Sequence, residues 1–172
     1  MSKKGSKKDW YHEYISSSSS FWDSDDEDTR SGHSDMSRGN QVVFYHYTSK
    51  EGKDAILDSG VIRPSRRRGH RDDAVFGNGV YGTLMDPENF SKTQLARNNY
   101  DSHTGVWRNL LKVGKVDFAF KLFLPKNRVE EVEETDRDIM IHHGNIYLDN
   151  VSYEVIPVPS RGRGMYHATG GR

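Results

Sequence analysis

The sequence predicts an α+β fold, and three observations lead to that prediction. Short runs rich in β-branched and aromatic residues recur along the chain, which is typical of strands. Only two or three segments carry helix signals, so helices do not separate the strands regularly and a doubly wound parallel sheet is disfavoured. Hydrophobic residues make up only 33% of the 172 residues, which indicates that part of the chain does not join a core.

The folded domain is predicted to extend over residues 41–159. It opens with the strand "VVFYHYT" at 42–48, followed by the short helix "SKEGKDAILDSG", with Ser49 as N-cap and Gly60 at its end. A second helix is predicted in "DPENFSKTQLARNNY", with Asp86 before Pro87 as its start signal. The remaining strands are "VIRP" (61–64), "VYGTLM" (80–85), "VDFAFKLFLP" (116–125), "DIMIHHG" (138–144) and "VSYEVIPV" (151–158).

Two disordered tails are predicted to flank this domain, at residues 1–40 and 160–172. The first combines a lysine cluster, the serine run Ser16 to Ser20 and the acidic tract "DSDDED"; the second is rich in Arg and Gly. Such segments cannot bury enough apolar area to offset their ordering entropy. The patch "WYHEYI" at 10–15 is the exception that has the apolar area to dock on another surface. Arg/Gly tails often contact RNA, although a solvated tail without function is the other interpretation.

Composition narrows the class of protein. Lys+Arg and Asp+Glu are both 25, so there is no net attraction to nucleic acid or membrane. The absence of cysteine excludes disulfides, thiolate zinc sites and a cysteine nucleophile. The start lacks the apolar core of a signal peptide, and no run is long and apolar enough to span a bilayer. We therefore expect a monomeric intracellular protein, cytoplasmic with the nucleus as an alternative, and no membrane partner.

Four short stretches carry residues suited to chemistry. His46 stands within the apolar run "QVVFYHYTSK", where a core histidine bonded to a carbonyl is the ordinary interpretation. In "FGNGVYGT", glycines lead into a strand that carries Tyr81, and glycine lets a ligand lie against the backbone. Ser91 precedes a helix and can either cap it or bond a ligand amide. Asp149 at a strand entrance is either a turn residue or a carboxylate that stabilises developing positive charge.

Taken together, "FYHYTSKEGKDAILDSGVIRPS" and "FGNGVYGT" resemble the ADP-ribosyltransferase family. The resemblance is to its diphtheria-toxin and poly(ADP-ribose)-polymerase branch, and is closest to toxin-type members with a His-Tyr-Asp signature. It covers roughly residues 42–156. It implies a split β-sheet core with a few short helices. It also implies an NAD-dependent mono-ADP-ribosyltransferase, a glycosyltransferase that cleaves the nicotinamide–ribose bond and transfers ADP-ribose to an unidentified protein or nucleic acid. NAD is the co-substrate, and no metal is implied.

The resemblance also implies a role for individual residues. His46 would bond a ribose hydroxyl of NAD, and the backbone of Tyr47 would hold the nicotinamide carboxamide. Tyr81 would stack on the nicotinamide ring, and Asp149 would orient the ribose hydroxyl and favour the oxocarbenium-like state. The implied catalytic residues are His46, Tyr81 and Asp149, and the implied NAD-binding residues are His46, Tyr47, Gly79, Tyr81 and Ser91. We expect the three catalytic side chains to converge on one cleft.

Alternatives to this function remain open. Asp149 is one methylene shorter than the glutamate of the polymerase branch, which disfavours polymer extension and leaves a weak or inactive NAD- or ADP-ribose-binding module as a second hypothesis. An NAD glycohydrolase results if water is the acceptor. The RNA 2′-phosphotransferase branch shares the fold, but its arginine and histidine motifs are not evident. The basic loop "RRRGHR" at 66–71 could contact NAD phosphates or recognise an acidic or nucleic-acid target. A solvated loop without a binding role is the other interpretation.

Other polar residues compete with these assignments. Glu154 is an alternative acid, but it is predicted to lie deep within its strand. Glu131 and Glu133 have the spacing of a Glu-x-Glu motif, yet "EEVEE" reads as a solvated charge run. His142 and His143 are adjacent on a predicted strand and therefore point to opposite faces, which disfavours a shared metal ion.

Overall fold

The computed structural model describes residues 38–66, 76–100 and 105–160. These residues form an α+β fold, as predicted, and every strand pairing among them is antiparallel. The strands are β1 (Gln41–Thr48), β2 (Val61–Ile62), β3 (Val80–Gly82), β4 (Phe118–Pro125), β5 (Val129–Glu131), β6 (Met140–His142), β7 (Ile146–Tyr147) and β8 (Ser152–Pro157). The helices are α1 (Lys50–Ser59), α2 (Lys92–Asn99) and α3 (Val106–Lys112). Single 3-10 turns cover Arg38–Asn40, Lys126–Arg128 and Leu148–Asn150.

The strands pair in three small sheets. Their orders are β1-β4-β8, β2-β7 and β3-β6-β5. Two isolated bridges connect them, because Tyr45 of β1 pairs with Thr83 after β3, and Ser65 after β2 pairs with Gly79 before β3. One edge of β3 is therefore shared between β1 and the segment that follows β2. The split core that the resemblance implies stays a prediction.

The two faces of β1 pack into different apolar clusters. We call them the α1 side and the α2–α3 side. On the α1 side, Phe44 packs with Phe120 and Leu122 of β4 and with Ile62 and Ile146 of the β2-β7 sheet. On the α2–α3 side, the cluster consists of Tyr45, Tyr47, Leu95, Ala96, Trp107, Val116, Ala119 and Val158. This two-sided burial explains why β1 and β4 are almost continuously apolar.

The first helix begins and ends as predicted. The Ser49 hydroxyl accepts a hydrogen bond from the Gly52 N–H at 3.2 Å, which satisfies an amide that has no partner within the helix. Gly60 ends the helix with φ of 66°, a left-handed conformation that glycine adopts without steric cost.

The predicted start of the second helix was wrong. Asp86 lies in a turn, where its carboxylate accepts the Glu88 N–H at 2.8 Å, so the amide is satisfied without a helix. The helix begins at Lys92 with Ser91 as N-cap. β3 is also shorter than predicted and ends at Gly82. The Leu84 N–H that would extend it is instead bonded to the Asp138 carboxylate at 3.2 Å.

Three elements, α3, β5 and β7, were not predicted from the sequence. The predictions for residues 1–37, for residues 67–71 of the basic loop and for 161–172 lie outside the described residues, as do residues 72–75 and 101–104. Among the residues that the structure describes, no helix has the length and apolar character needed to cross a membrane.

Candidate active site at a fork in the sheet

One edge of β3 pairs with two different segments that separate from each other. At one end, Gly79 exchanges two backbone hydrogen bonds with Ser65, at 2.8 and 3.1 Å. At the other end, Thr83 exchanges two with Tyr45, at 2.9 and 3.1 Å. Between these pairs, the main chain of Tyr81 faces the gap where the two segments diverge. We call this gap the fork.

The side chain of His46 enters the fork. Its Nδ1 lies 2.9 Å from the Tyr81 carbonyl oxygen. Because a carbonyl can only accept, Nδ1 carries the proton of this hydrogen bond. Burial lowers the pKa of His46, and the hydrogen bond to the Tyr81 carbonyl raises it by less. The ring is therefore neutral at pH 7, and its Nε2 keeps a lone pair that can accept a hydrogen bond.

The His46 ring also lines a depression of about 230 Å³ between α1 and β2. Ala55 and Val61 supply apolar walls. The hydroxyl of Ser59 is used locally, since it donates to the Ala55 carbonyl at 2.8 Å. Arg63 is exposed and also lines the depression. His46 and Arg63 thus line the same space, and an imidazole acceptor beside a guanidinium cation suits a ligand with hydroxyl groups and negative charge.

Tyr81 contacts His46 through its main chain. Its hydroxyl donates to the Gly77 carbonyl at 2.6 Å and accepts from the Phe76 N–H at 3.1 Å. Burial raises the pKa of Tyr81. Gly77 has φ of 110°, a conformation that favours glycine. The Tyr81 hydroxyl therefore holds a turn that requires glycine at this position. Strand alternation from the Tyr45–Thr83 pair directs the Tyr81 ring to the other side from His46, so convergence of the two rings on one ligand stays a prediction.

The ring of Tyr81 packs beside the small cluster of Val132, Ile139 and Ile141. The same cluster explains Gly79, since a Cβ there would collide with the Ile141 side chain. Glycine at this position therefore allows β3 to pack closely on β6. The predicted use of Gly79, to let NAD approach the backbone, remains untested.

Tyr47 and Ser91 both have hydroxyl groups that bond within the protein. The buried Tyr47 side chain donates to the Met85 carbonyl at 2.7 Å. The Ser91 hydroxyl accepts from the Gln94 N–H at 3.3 Å and contacts the Gln94 Oε1 at 2.8 Å. Gln94 Oε1 in turn accepts the Ser91 N–H at 2.9 Å, which completes a capping box. These contacts give Ser91 a structural role, and its predicted contact with NAD remains a prediction.

Asp149 lies in the exposed 3-10 turn after β7. The first residue of that turn, Leu148, donates its N–H to the Gly60 carbonyl at 2.9 Å. The neighbours of Gly60, Ser59 and Val61, both line the depression. This hydrogen bond therefore holds the Asp149 turn beside the same segment that forms one wall of the depression.

Glu154, the alternative acid, lies inside β8 as predicted, at the third of its six positions, and its side chain is exposed. The register β1-β4-β8 aligns it with Lys121 and Tyr45. His46 aligns instead with Phe120 and therefore faces the opposite side of the sheet. Glu154 is therefore directed away from the depression that His46 lines.

Residues 44–122 match a family described as HYD1 signature containing ADP-ribosyltransferase. The matched span contains His46, α1, the glycine turn with Tyr81, and α2. It supports the ADP-ribosyltransferase family. The same match supports a transferase that carries out ADP-ribosyl transfer in general. No curated protein and no solved structure matches the chain.

The ADP-ribosyltransferase match ends before Asp149, so the third residue of the His-Tyr-Asp signature and the branch of the family stay predictions. The sequence analysis also missed Arg63. A basic residue directly after the strand "VI" was the available signal, but only the packing of β2 beside α1 brings it to the depression.

The other two histidines that the structure describes lie elsewhere. The exposed His143 bonds Glu130 through Nε2 at 2.8 Å, and this contact raises the pKa of His143. His142 is partly buried, and burial lowers its pKa. Among the described residues, no group of three potential metal ligands is found.

Proposed function

We propose that this protein is an NAD-dependent mono-ADP-ribosyltransferase. The observation that carries the proposal is the neutral His46 ring at the fork, which keeps Nε2 as an acceptor and lies within the span that matches ADP-ribosyltransferases. A ribose hydroxyl of NAD would donate to Nε2. Arg63 would face the pyrophosphate, whose oxygens suit a guanidinium.

In the proposed reaction, the bond between the ribose and the nicotinamide nitrogen breaks. Its electron pair goes to the nicotinamide ring, which leaves as a neutral molecule, and positive charge develops on the ribose. The Asp149 carboxylate would stabilise this charge and hold a ribose hydroxyl. A nucleophile of the macromolecular acceptor then bonds to the ribose carbon and loses its proton.

Substitution of Asp149 tests this proposal. Asp149→Asn keeps the size of the side chain but removes its charge, so NAD binding changes little while turnover falls by roughly 10²–10³, about 3–4 kcal/mol. The measurement uses labelled NAD with cell lysate and compares label on protein, on nucleic acid and in free ADP-ribose.

Glu154→Gln is the matched control, because it removes one exposed carboxylate from the opposite side of the sheet. It should leave turnover unchanged. Tyr81→Ala should instead weaken NAD binding, because stacking acts before the bond breaks. Unaltered cleavage by Asp149→Asn would exclude Asp149 as the catalytic acid.

A binding module without turnover is the second candidate. It is favoured by the exposed Asp149 carboxylate, which has no hydrogen bond to any residue that the structure describes, so its position is less preorganised than that of His46. NAD binding that depends on His46, with no cleavage in any lysate, would establish this alternative. Release of free ADP-ribose without labelled acceptor would instead establish a glycohydrolase.

A further inference from the structure

Four exposed cations lie on the surface formed by α2 and α3, away from the fork. They are Arg97, Arg108, Lys112 and Lys115. Arg108 and Lys112 are four residues apart, so they share one face of α3, and Lys115 follows in the turn after the helix. We call this surface the basic row. It is a property of the tertiary structure, because Arg97 comes from a different helix.

Two arginines of the basic row are held in place by one aromatic ring. The guanidinium carbon of Arg97 lies 4.8 Å from the centre of the Trp107 ring, and that of Arg108 lies 5.0 Å from it. Trp107 is itself buried, with 7% of its surface exposed. Stacking on a tryptophan restricts a guanidinium without using its N–H donors, so both groups are preorganised to bind another molecule.

Within the described part of the chain, the basic row also lacks neutralising partners. None of its four cations forms an ion pair with a residue that the structure describes. The nearby Asp117 is engaged by Lys92 at 2.6 Å. By contrast, Lys50 and Lys53 on α1 both pair with Asp54. On the three helices, the cations without an ion pair to a described residue all lie on the α2–α3 surface.

We infer that the basic row binds the phosphate backbone of a nucleic acid. Planar guanidinium groups match phosphate oxygens, and side chains one helical turn apart lie about 6 Å from each other, which suits a chain of closely spaced charges. An acidic protein surface is the weaker fit. Protein interfaces usually centre on an exposed aromatic anchor, but Trp107 is covered. The large apolar residues exposed on α3 and directly after it are Val106 and Val113. This inference is independent of the proposed catalysis.

The test measures binding of the full-length protein to a labelled, mixed-sequence DNA duplex of roughly twenty base pairs across a salt series. Wild-type protein should bind with an affinity that falls as salt rises. Arg97→Gln with Arg108→Gln removes two phosphate contacts. The slope of log Kd against log salt should decrease by about 1.8, and Kd should rise roughly sixty-fold at 0.1 M salt.

The matched control is Lys126→Gln with Arg128→Gln, which removes the same charge from the exposed turn after β4. β4 has 8 residues and spans about 26 Å, so this turn lies far from the α3 end of the strand. The control should retain nearly wild-type affinity. Circular dichroism and thermal unfolding should be measured for both double variants to check that they are folded.

Three results would overturn the inference. Wild-type protein that does not bind the duplex contradicts it directly. An equal loss of affinity in both double variants would show that general charge, rather than the basic row, drives binding. Binding of poly-glutamate as tight as that of DNA, with the same dependence on Arg97 and Arg108, would assign the surface to an acidic protein.

Discussion

The two faces of β1 carry polar groups in two different situations. On the α2–α3 side, the Tyr47 hydroxyl is bonded to the Met85 carbonyl, and the buried Asn98 amide is bonded to Thr83 and Asp138. On the α1 side, His46 uses one nitrogen for the Tyr81 carbonyl and lines an open depression. The difference shows how polar groups that stabilise the fold can be distinguished from polar groups that can bind a ligand. A polar group whose partners all belong to the protein stabilises the fold, whereas one with a spare acceptor facing solvent can bind a ligand.

The largest effect should come from the structural side. Asn98 joins α2 to the segment before β6: its Nδ2 donates to the Asp138 carbonyl at 2.7 Å, and its Oδ1 accepts the Asp138 N–H at 2.8 Å. Asn98→Ala leaves both backbone groups without these partners and should lower the free energy of unfolding by about 3 kcal/mol. Urea denaturation measures this change.

Thr93→Ala on the exposed face of the same helix is the control and should change stability by less than about 0.5 kcal/mol. If Asn98→Ala and Thr93→Ala are equally mild, the amide network does not stabilise the domain. Asn98 could then not serve as an example of a polar group that stabilises the fold.

The next effect tests the functional side through pH. The folded pKa of His46 is lowered by burial, so the neutral form that the proposed function requires dominates at pH 7. As pH falls through this folded pKa, Nε2 gains a proton and can no longer accept from ribose. We expect kcat/KM for NAD cleavage to fall about tenfold per pH unit on that acid side, equivalent to about 1.4 kcal/mol per unit.

The same shift affects stability in a defined direction. The unfolded state binds the proton of His46 more readily than the folded state, so this group destabilises the fold as pH drops from about 6.5 towards the folded pKa.

His143→Gln is the activity control, because the pKa of His143 is raised and its ring is exposed. An acid limb that disappears in His143→Gln would assign the titration to His143 instead of His46.

The smallest effect concerns Ser91, whose hydroxyl either caps α2 or contacts NAD. Because its hydroxyl belongs to the capping box, Ser91→Ala should cost about 1 kcal/mol of stability and leave KM for NAD unchanged. Ser49→Ala, which removes the N-cap of α1, should cost a similar amount. A many-fold rise in KM with little loss of stability would show instead that Ser91 contacts the substrate.

Local sequence signals predicted the long elements well and the short ones poorly. The β-branched and aromatic residues of β1 and β4, and the Ser49 and Gly60 ends of α1, act over neighbouring residues and need no tertiary contact. β5 and β7 have only three and two residues, so their strand conformation depends on pairing with distant segments. The start of α2 was misplaced because the Asp86 carboxylate satisfies a turn that Pro87 also permits.

The sequence by itself determined the α+β class, the long strands β1 and β4, and the choice of His46 and Tyr81 as candidate site residues, since these follow from residue type and local spacing. Only the tertiary structure decided which atoms meet. The pairing of β3 with both Tyr45 and Ser65 creates the fork, the Tyr81 carbonyl fixes the proton on His46 Nδ1, and burial keeps the ring neutral. The tertiary structure also brought Arg63 to the depression and Arg97 to Trp107. Hydrogen-bond partners and desolvation arise from segments distant in sequence, which no local pattern records.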